Sequence, residues 1–254
     1  MIENLSDLLN QKVKQYNNLQ FIETDPVSIP HMFTKKEDIE ISGFLTSVIS
    51  WGRRPAILKS AHKLMELMDN SPYDFLMNSN VIEFKRFEGY VYRTFNSDDC
   101  IFLITALQNI YKQSDSLESI ATNSFKTNGR IFDVIVGLRE AILKTPHLKR
   151  SEKHLGNPLT GSAAKRINMY LRWMVRQDNA GVDFGIWKDI PQSELMCPLD
   201  VHSGNVARKL GLLHRKQNDW KAVDELTNNL RTFDKSDPVK YDYALFGIGV
   251  FEGV

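Results

Sequence analysis

Two residues able to do covalent and proton chemistry stand at the mouths of two helical patterns. In "LTGSAAKRINMYLRW", residues 159–173, Lys165 and Arg166 open a run whose Ile167, Tyr170, Leu171 and Met174 repeat at helical spacing. Thirty-five residues after Lys165, "CPLDVHSGNVARKLGLL" places Asp200 ahead of a second run carried by Val206, Leu210 and Leu213. A lysine amine attacks electrophilic carbon once it has lost its proton, and a nearby carboxylate can take part in the proton transfer. With a reference pKa of ~10.4, such a lysine needs desolvation or a neighbouring cation to act near neutral pH, and Arg166 is adjacent in sequence. The positive end of the helix disfavours the ammonium by only roughly 0.3–1 kcal/mol. A solvated surface lysine is the competing reading of Lys165. For Asp200 it is an N-cap accepting from the amide of Ser203 or its neighbour, which is compatible with a chemical role.

Gly161 permits a sharp turn into a helix expected to begin near Ser162, so the amides around Gly161, Ser162 and Ala163 are candidate phosphate ligands. The surrounding segment is basic: over residues 144–176, Lys144, Lys149, Arg150, Lys153, Lys165, Arg166, Arg172 and Arg176 face only Glu152. A phosphate-facing surface is expected there, with Lys153 and Arg166 among its contacts; a solvated face is the alternative. Trp51 and Arg53, in "ISWGRRP", lie at the end of another helical pattern and form a secondary nucleic-acid-binding candidate.

Bulk properties narrow the classes. The 254-residue chain carries a net charge of +1, so any anion affinity must come from a local patch. Cys100 and Cys197 have no partner at ligand spacing, which excludes a four-thiolate cluster built from cysteines, and both read as buried thiols. His202 lies two residues from Asp200, but His31, His62, His147, His154 and His214 offer no metal-ligand spacing; His202 is expected to pack at a helix start. No metal or cofactor is expected. "MIENLSDLLN" lacks a basic-then-apolar signal pattern and no apolar run would cross a bilayer, so a soluble cytoplasmic protein without a membrane partner is expected.

The elements that must position these residues read as helices throughout. Stripes recur at Leu5, Leu8, Leu9, Val13 and Tyr16, at Ile41, Phe44, Leu45, Val48 and Ile49, and at Cys100, Leu103, Ile104, Leu107 and Ile110. Further stripes run through Ile131, Val134, Ile135, Leu138 and Ile142, and through Val223, Leu226 and Leu230. Asp219 is placed to cap a helix opening at Trp220, and Asp237 with Pro238 reads as N-cap and first helical residue. "FEGYVYRTF", residues 87–95, is the best strand candidate and reads equally as a loop. Loops are expected near 18–36, 145–161 and 178–200. The fold class is all-α.

These segments resemble the helix-hairpin-helix DNA glycosylase superfamily, whose hairpin reads approximately L-P-G-x-G-x-K-T-A and is followed by V-D-T-H-x-x-R-V. "LTGSAAKRI" matches at Leu159, Gly161 and Lys165, and "LDVHSGNVARKLGLL" matches at Asp200, His202, Val206 and Leu210. "DIEISGFLTSVISWGRRP" is similar to the family helix that ends in a DNA-probing loop, with Ser50, Trp51 and Gly52 in place of Ser-Gln-Gln or Ser-Asn-Asn. Thr160 replaces the hairpin proline and Ala163 its second glycine. The long lysine-to-aspartate interval is like that of the archaeal 8-oxoguanine glycosylase branch, and the overall likeness is greatest to a bacterial group related to the superfamily. The resemblance implies a two-lobed helical fold with a central lobe over 37–180, hairpin included, and a second lobe from 1–36 and 181–254. It implies a DNA glycosylase with β-lyase activity in base-excision repair, acting on an oxidised purine in duplex DNA, with Lys165 as nucleophile and Asp200 as its partner. A noncatalytic nucleic-acid binder with the same fold, and a helical scaffold for a protein partner, are the alternatives.

Overall fold

A computed structural model describes residues 4–80, 82–113 and 116–253. Among them the regular elements are helical, in chain order α1 (Leu5–Tyr16), α2 (Leu19–Thr24), α3 (Lys36–Ile49), α4 (Arg54–Glu66), α5 (Pro72–Asn78), α6 (Ser97–Lys112), α7 (Leu117–Asn128), α8 (Ile131–Leu143), α9 (Lys165–Val175), α10 (Val201–Lys209), α11 (Trp220–Arg231) and α12 (Tyr241–Phe251). Short 3-10 turns punctuate them, and no described residue belongs to a strand. The strand candidate at 87–95 is a turn closed by one isolated bridge, Tyr92 to Phe95, with the Tyr92 amide 2.8 Å from the Phe95 oxygen. Among the described residues, no helix is long and apolar enough to cross a membrane.

The chain divides into two compact units, one of residues 24–156 and one of residues 1–23 with 157–254. This differs from the boundaries expected at 37 and 180. The 24–36 segment forms two 3-10 turns, Pro26–Ser28 and Pro30–Met32, that pack on α3, and the first also meets α4. The hairpin and α9 join the terminal segments, with Arg172 on α9 and Arg176 just past its end paired to Asp183, Asp237 and Asp242.

In the unit of residues 24–156, α3 is buried continuously from Ile39 to Ile49, far beyond one apolar stripe. Asn96 opens α6 with a capping box in which its side chain accepts from the Asp99 amide, satisfying donors the helix start would leave unpaired. Asp99 is itself buried, and its carboxylate accepts from Ser151 Oγ at 2.6 Å and from Arg150 Nη1 at 3.0 Å, with His154 Nε2 at 3.2 Å. This cluster ties the 3-10 turn Lys149–His154 to the α6 start.

In the other unit, α12 is apolar along "YDYALFGIGVF" except for Asp242, and it packs against α1 and α10. Gly247 makes the α1 contact close: a Cβ there would lie 2.0 Å from the Tyr16 ring, so a side chain at this position would push the helices apart. Asp219 caps α11 as expected, accepting from the Ala222 amide at 3.1 Å. Asp237 does not cap: Pro238 is the first helical residue, but the Asp237 carboxylate is turned to Arg176.

Candidate functional site

The Lys165 segment is shaped by its turn chemistry. Asn157 accepts from the Leu159 amide at 3.0 Å and Pro158 starts a 3-10 turn ending at Thr160, where Gly161 takes a left-handed conformation with φ of 87°. The expected helix start near Ser162 is displaced to Lys165, because Ser162 instead accepts the Ala164 amide at 3.1 Å and Ala164 adopts φ of 46°. Ala163, which stands where the resembling family has a glycine, does not occupy the positive-φ region; Ala164 does. No α-helix precedes the turn after α8 ends at Leu143, since Pro146, Gly156 and Pro158 interrupt the segment, so the regular first helix of a helix-hairpin-helix is missing. The turn is instead held by the α10–α11 connection: the Trp220 amide donates to the Gly161 oxygen at 3.0 Å, and Ser162 bridges Asp219.

Lys165 is the first residue of α9 and Asp200 the N-cap of α10, and the two side chains meet. Lys165 Nζ lies 3.8 Å from Asp200 Oδ2, with each side chain about one-quarter exposed (25% and 25%). That is an ion-pair distance, longer than a hydrogen bond. The Asp200 oxygens divide their work. Oδ1 accepts the Ser203 amide at 3.0 Å and lies 3.2 Å from Ser203 Oγ, completing a capping box, while Oδ2 faces the amine. The Asp200 main-chain oxygen is held by Asn218 Nδ2 at 2.9 Å. One helical turn along α9, Met169 Sδ lies 3.4 Å from Lys165 Nζ, so an apolar thioether fills part of the amine's surroundings.

Behind this pair the same face of α9 carries charge inward. Arg172 Nη1 donates to Asp242 Oδ2, and its Nε to Asp183 Oδ1 at 3.2 Å; its guanidinium lies 4.2 Å from the Tyr243 ring centre. Arg176 donates to Asp183 at 2.9 Å, to Asp178 at 2.7 Å and to Asp237 at 2.9–3.1 Å. Burial pushes the Asp242 carboxyl up to about 6, against the pull of Arg172 and Lys165, while Asp200 and Asp183 add to the rise. Asp242 was not singled out from sequence. Its signal was available: it is the one charged residue in the run 241–251.

The other sequence candidates separate. Gly161, Ser162 and Ala163 share a unit with Lys165 and Asp200, but the Gly161 and Ser162 amides, expected as phosphate ligands, donate instead to the Pro158 oxygen at 3.0 Å and the Asn157 oxygen at 3.1 Å; Arg166, in the same unit, is half-buried and its guanidinium is lowered to about 10 by that burial. Trp51, Arg53 and Lys153 lie in the other unit, where Arg53 and Lys153 are exposed. The half-buried Trp51 indole lies 5.2 Å from Tyr92 and 5.8 Å from His154 between ring centres, and Tyr92 Oη donates to the Trp51 oxygen at 2.5 Å. His202, expected to pack at the α10 start, is exposed.

The basic run of residues 144–176 does not present all of its charges to solvent. Arg172 and Arg176 are buried against carboxylates, Arg150 is engaged by Asp99, and Lys149 lies 2.8 Å from Glu152. A run of cations in sequence looks the same whether the side chains are solvated or paired, and here Arg172 and Arg176 are buried against carboxylates while Lys149, Arg150 and Lys165 lie at ion-pair distance from one.

Residues 25–251 match DUF2400, a family described as a protein of unknown function, and the chain belongs to that family. No curated protein and no solved structure matches.

Proposed function

We propose that this DUF2400 member removes a damaged base from duplex DNA by using Lys165 as an amine nucleophile and Asp200 as its carboxylate partner. The observation that carries the reading is the meeting of Lys165 Nζ and Asp200 Oδ2 at 3.8 Å, across a 35-residue interval, with both groups still open to solvent. The resemblance of the hairpin and aspartate motifs supplies the substrate class, an oxidised purine. In this reading the amine, having given up a proton, attacks the sugar C1′ as the bond to the base breaks, and the base leaves with the bonding electrons and takes a proton. Asp200 assists the proton transfer and opposes the positive charge that develops on the sugar. Ring opening then gives an imine between Lys165 and the sugar, from which β-elimination expels the 3′ phosphate. The Ser203 contacts let Asp200 do this without rotating away, because one oxygen is fixed in the capping box.

The test is incubation of the protein with a panel of duplexes, each carrying one damaged base, in the presence of borohydride. A reduced covalent adduct at Lys165 is expected with at least one oxidised purine. The missing first helix of the hairpin favours a second reading, a binder that holds DNA without turnover; tight binding to damaged duplexes with no adduct from any lesion selects it. Absence of DNA binding altogether leaves the scaffold for a protein partner.

A further inference from the structure

The connection between α10 and α11 is tied to both halves of the Lys165 site. The Trp220 amide donates to the Gly161 oxygen at 3.0 Å, and Asn218 Nδ2 donates to the Asp200 oxygen at 2.9 Å. Arg208 fixes the connection from inside, donating from Nε to the Arg215 oxygen at 2.8 Å and from Nη2 to Asn218 Oδ1 at 2.6 Å. This stretch is also strongly basic: Arg208, Lys209, Arg215, Lys216 and Lys221 face only Asp219 within residues 208–221.

Its acidic groups are already occupied. Asp219 is bound by Arg215, with Nε 2.6 Å from Oδ1, and caps α11. Glu225 accepts the His214 amide at 2.6 Å and lies 3.2 Å from His214 Nδ1. Lys216 and Lys221 are exposed and form no ion pair among the described residues. Together with His214, Arg215, Gln217 and Glu225 they line a hollow of about 550 Å³. The Gly161 and Ser162 amides already donate to the Pro158 and Asn157 oxygens, so phosphate contacts beside this turn fall to side chains, and a concave surface carrying two exposed ammonium groups, on a connection hydrogen-bonded to the turn, suits a chain of regularly spaced anions better than a single small one.

We propose that this hollow receives the backbone phosphates of the DNA strand that passes the hairpin, with Lys216 and Lys221 as the contacts. The proposal rests on the reading of the protein as a DNA enzyme, and it moves the phosphate-binding surface from residues 144–176 to residues 208–221. Each lysine neutralises one phosphate and releases its counterions, so each adds about 0.9 to the log–log salt slope of duplex binding.

The experiment compares the full chain with the double variant Lys216→Ala/Lys221→Ala, and with Lys144→Ala/Lys153→Ala as the control from the other basic segment. Duplex affinity is measured from 50 to 200 mM salt. The Lys216/Lys221 variant is expected to flatten the slope by about 1.8, so that over this fourfold salt range it loses about tenfold less affinity than the parent, while the Lys144/Lys153 variant keeps the parental slope. Far-ultraviolet circular dichroism checks that both variants fold. An unchanged slope in the Lys216/Lys221 variant overturns the proposal and leaves the glycosylase reading intact. A parent that shows no salt-dependent duplex binding overturns both. Amide shifts over residues 214–221 with inorganic phosphate but not with duplex DNA identify a small-anion site and overturn the strand assignment.

Discussion

Arg172 and Asp242 form a buried ion pair between α9 and α12, with the guanidinium Nη1 donating to the carboxylate Oδ2 and the arginine's Nε shared with Asp183 at 3.2 Å. Two carboxylates thus compete for one cation, while Lys165 and Asp200 act on Asp242 from the α9 and α10 starts, respectively. Burial outweighs the attraction, and the Asp242 carboxyl rises to about 6 from its ordinary 3.8.

That rise has a definite sign in stability. A carboxyl whose folded value lies above its unfolded value binds its proton more tightly when folded, so its contribution is fully present below pH ~4 and is lost as pH rises through ~6. A rise of about two units corresponds to roughly 3 kcal/mol. Asp242→Asn cannot ionise and keeps an oxygen for Arg172, so it is expected to lose none of this. The parent's stability relative to the variant should therefore fall by up to roughly 3 kcal/mol between pH 4 and pH 7, read from urea denaturation at each pH. Parallel curves for the two proteins contradict the assignment.

Arg176 tests the buried network from its other end. It is 1% exposed and serves Asp178, Asp183 and Asp237 at once. Arg176→Ala removes the cation and leaves carboxylates buried without compensation, which costs roughly 3–5 kcal/mol. Denaturant midpoints measure the cost. A loss below about 1 kcal/mol, the size expected of a solvated arginine, restores the surface reading of this residue.

The buried partners of Arg172 and Arg176 lie outside what periodicity contains. The Ile167, Tyr170, Leu171 and Met174 pattern made α9 legible, and the stripes of α3, α6, α8 and α11 were legible the same way, because helical burial repeats every 3.6 residues. The Asp200 and Asp219 caps were legible because a capping side chain bonds within three residues. Arg172 pairs with Asp242 seventy positions away and Arg176 with Asp237 sixty-one away, and no local pattern encodes such partners. The Asp237 cap failed for the same reason, its carboxylate being taken by a distant arginine. Lys165 and Asp200 were joined through motif resemblance, and their 3.8 Å approach depends on packing that spacing alone does not specify.

Gly161 separates backbone geometry from ligand approach. Its φ of 87° is left-handed, and a Cβ built there meets nothing within 4 Å, so the only local cost of a side chain is conformational. Gly161→Ala is expected to destabilise the unit by roughly 1–2 kcal/mol, the penalty for an L-residue in this region. A D-alanine introduced at the same position by semisynthesis should be tolerated at little cost. Equal destabilisation by both enantiomers contradicts the assignment of the L-alanine cost to the left-handed backbone.

Lys165 and Asp200 carry different chemical duties, and their variants should fail differently. Lys165→Ala removes the amine at the α9 start while leaving the buried Tyr170, Leu171, Trp173 and Met174 in place, so the fold is expected to persist and borohydride adducts to vanish completely. Asp200→Asn preserves an oxygen to accept the Ser203 amide, since asparagine caps about as well as aspartate, but it neither takes a proton nor supplies negative charge. Turnover should then drop by roughly 10²–10⁴-fold, the range for a positioned acid–base group, with binding of damaged duplex retained or tightened as a negative charge leaves the site. Single-turnover rates, adduct yield and equilibrium binding, measured on the same duplex, keep the three effects apart. If both variants process damaged DNA at the parental rate, the 3.8 Å pair is an ordinary surface ion pair and the proposed chemistry is wrong.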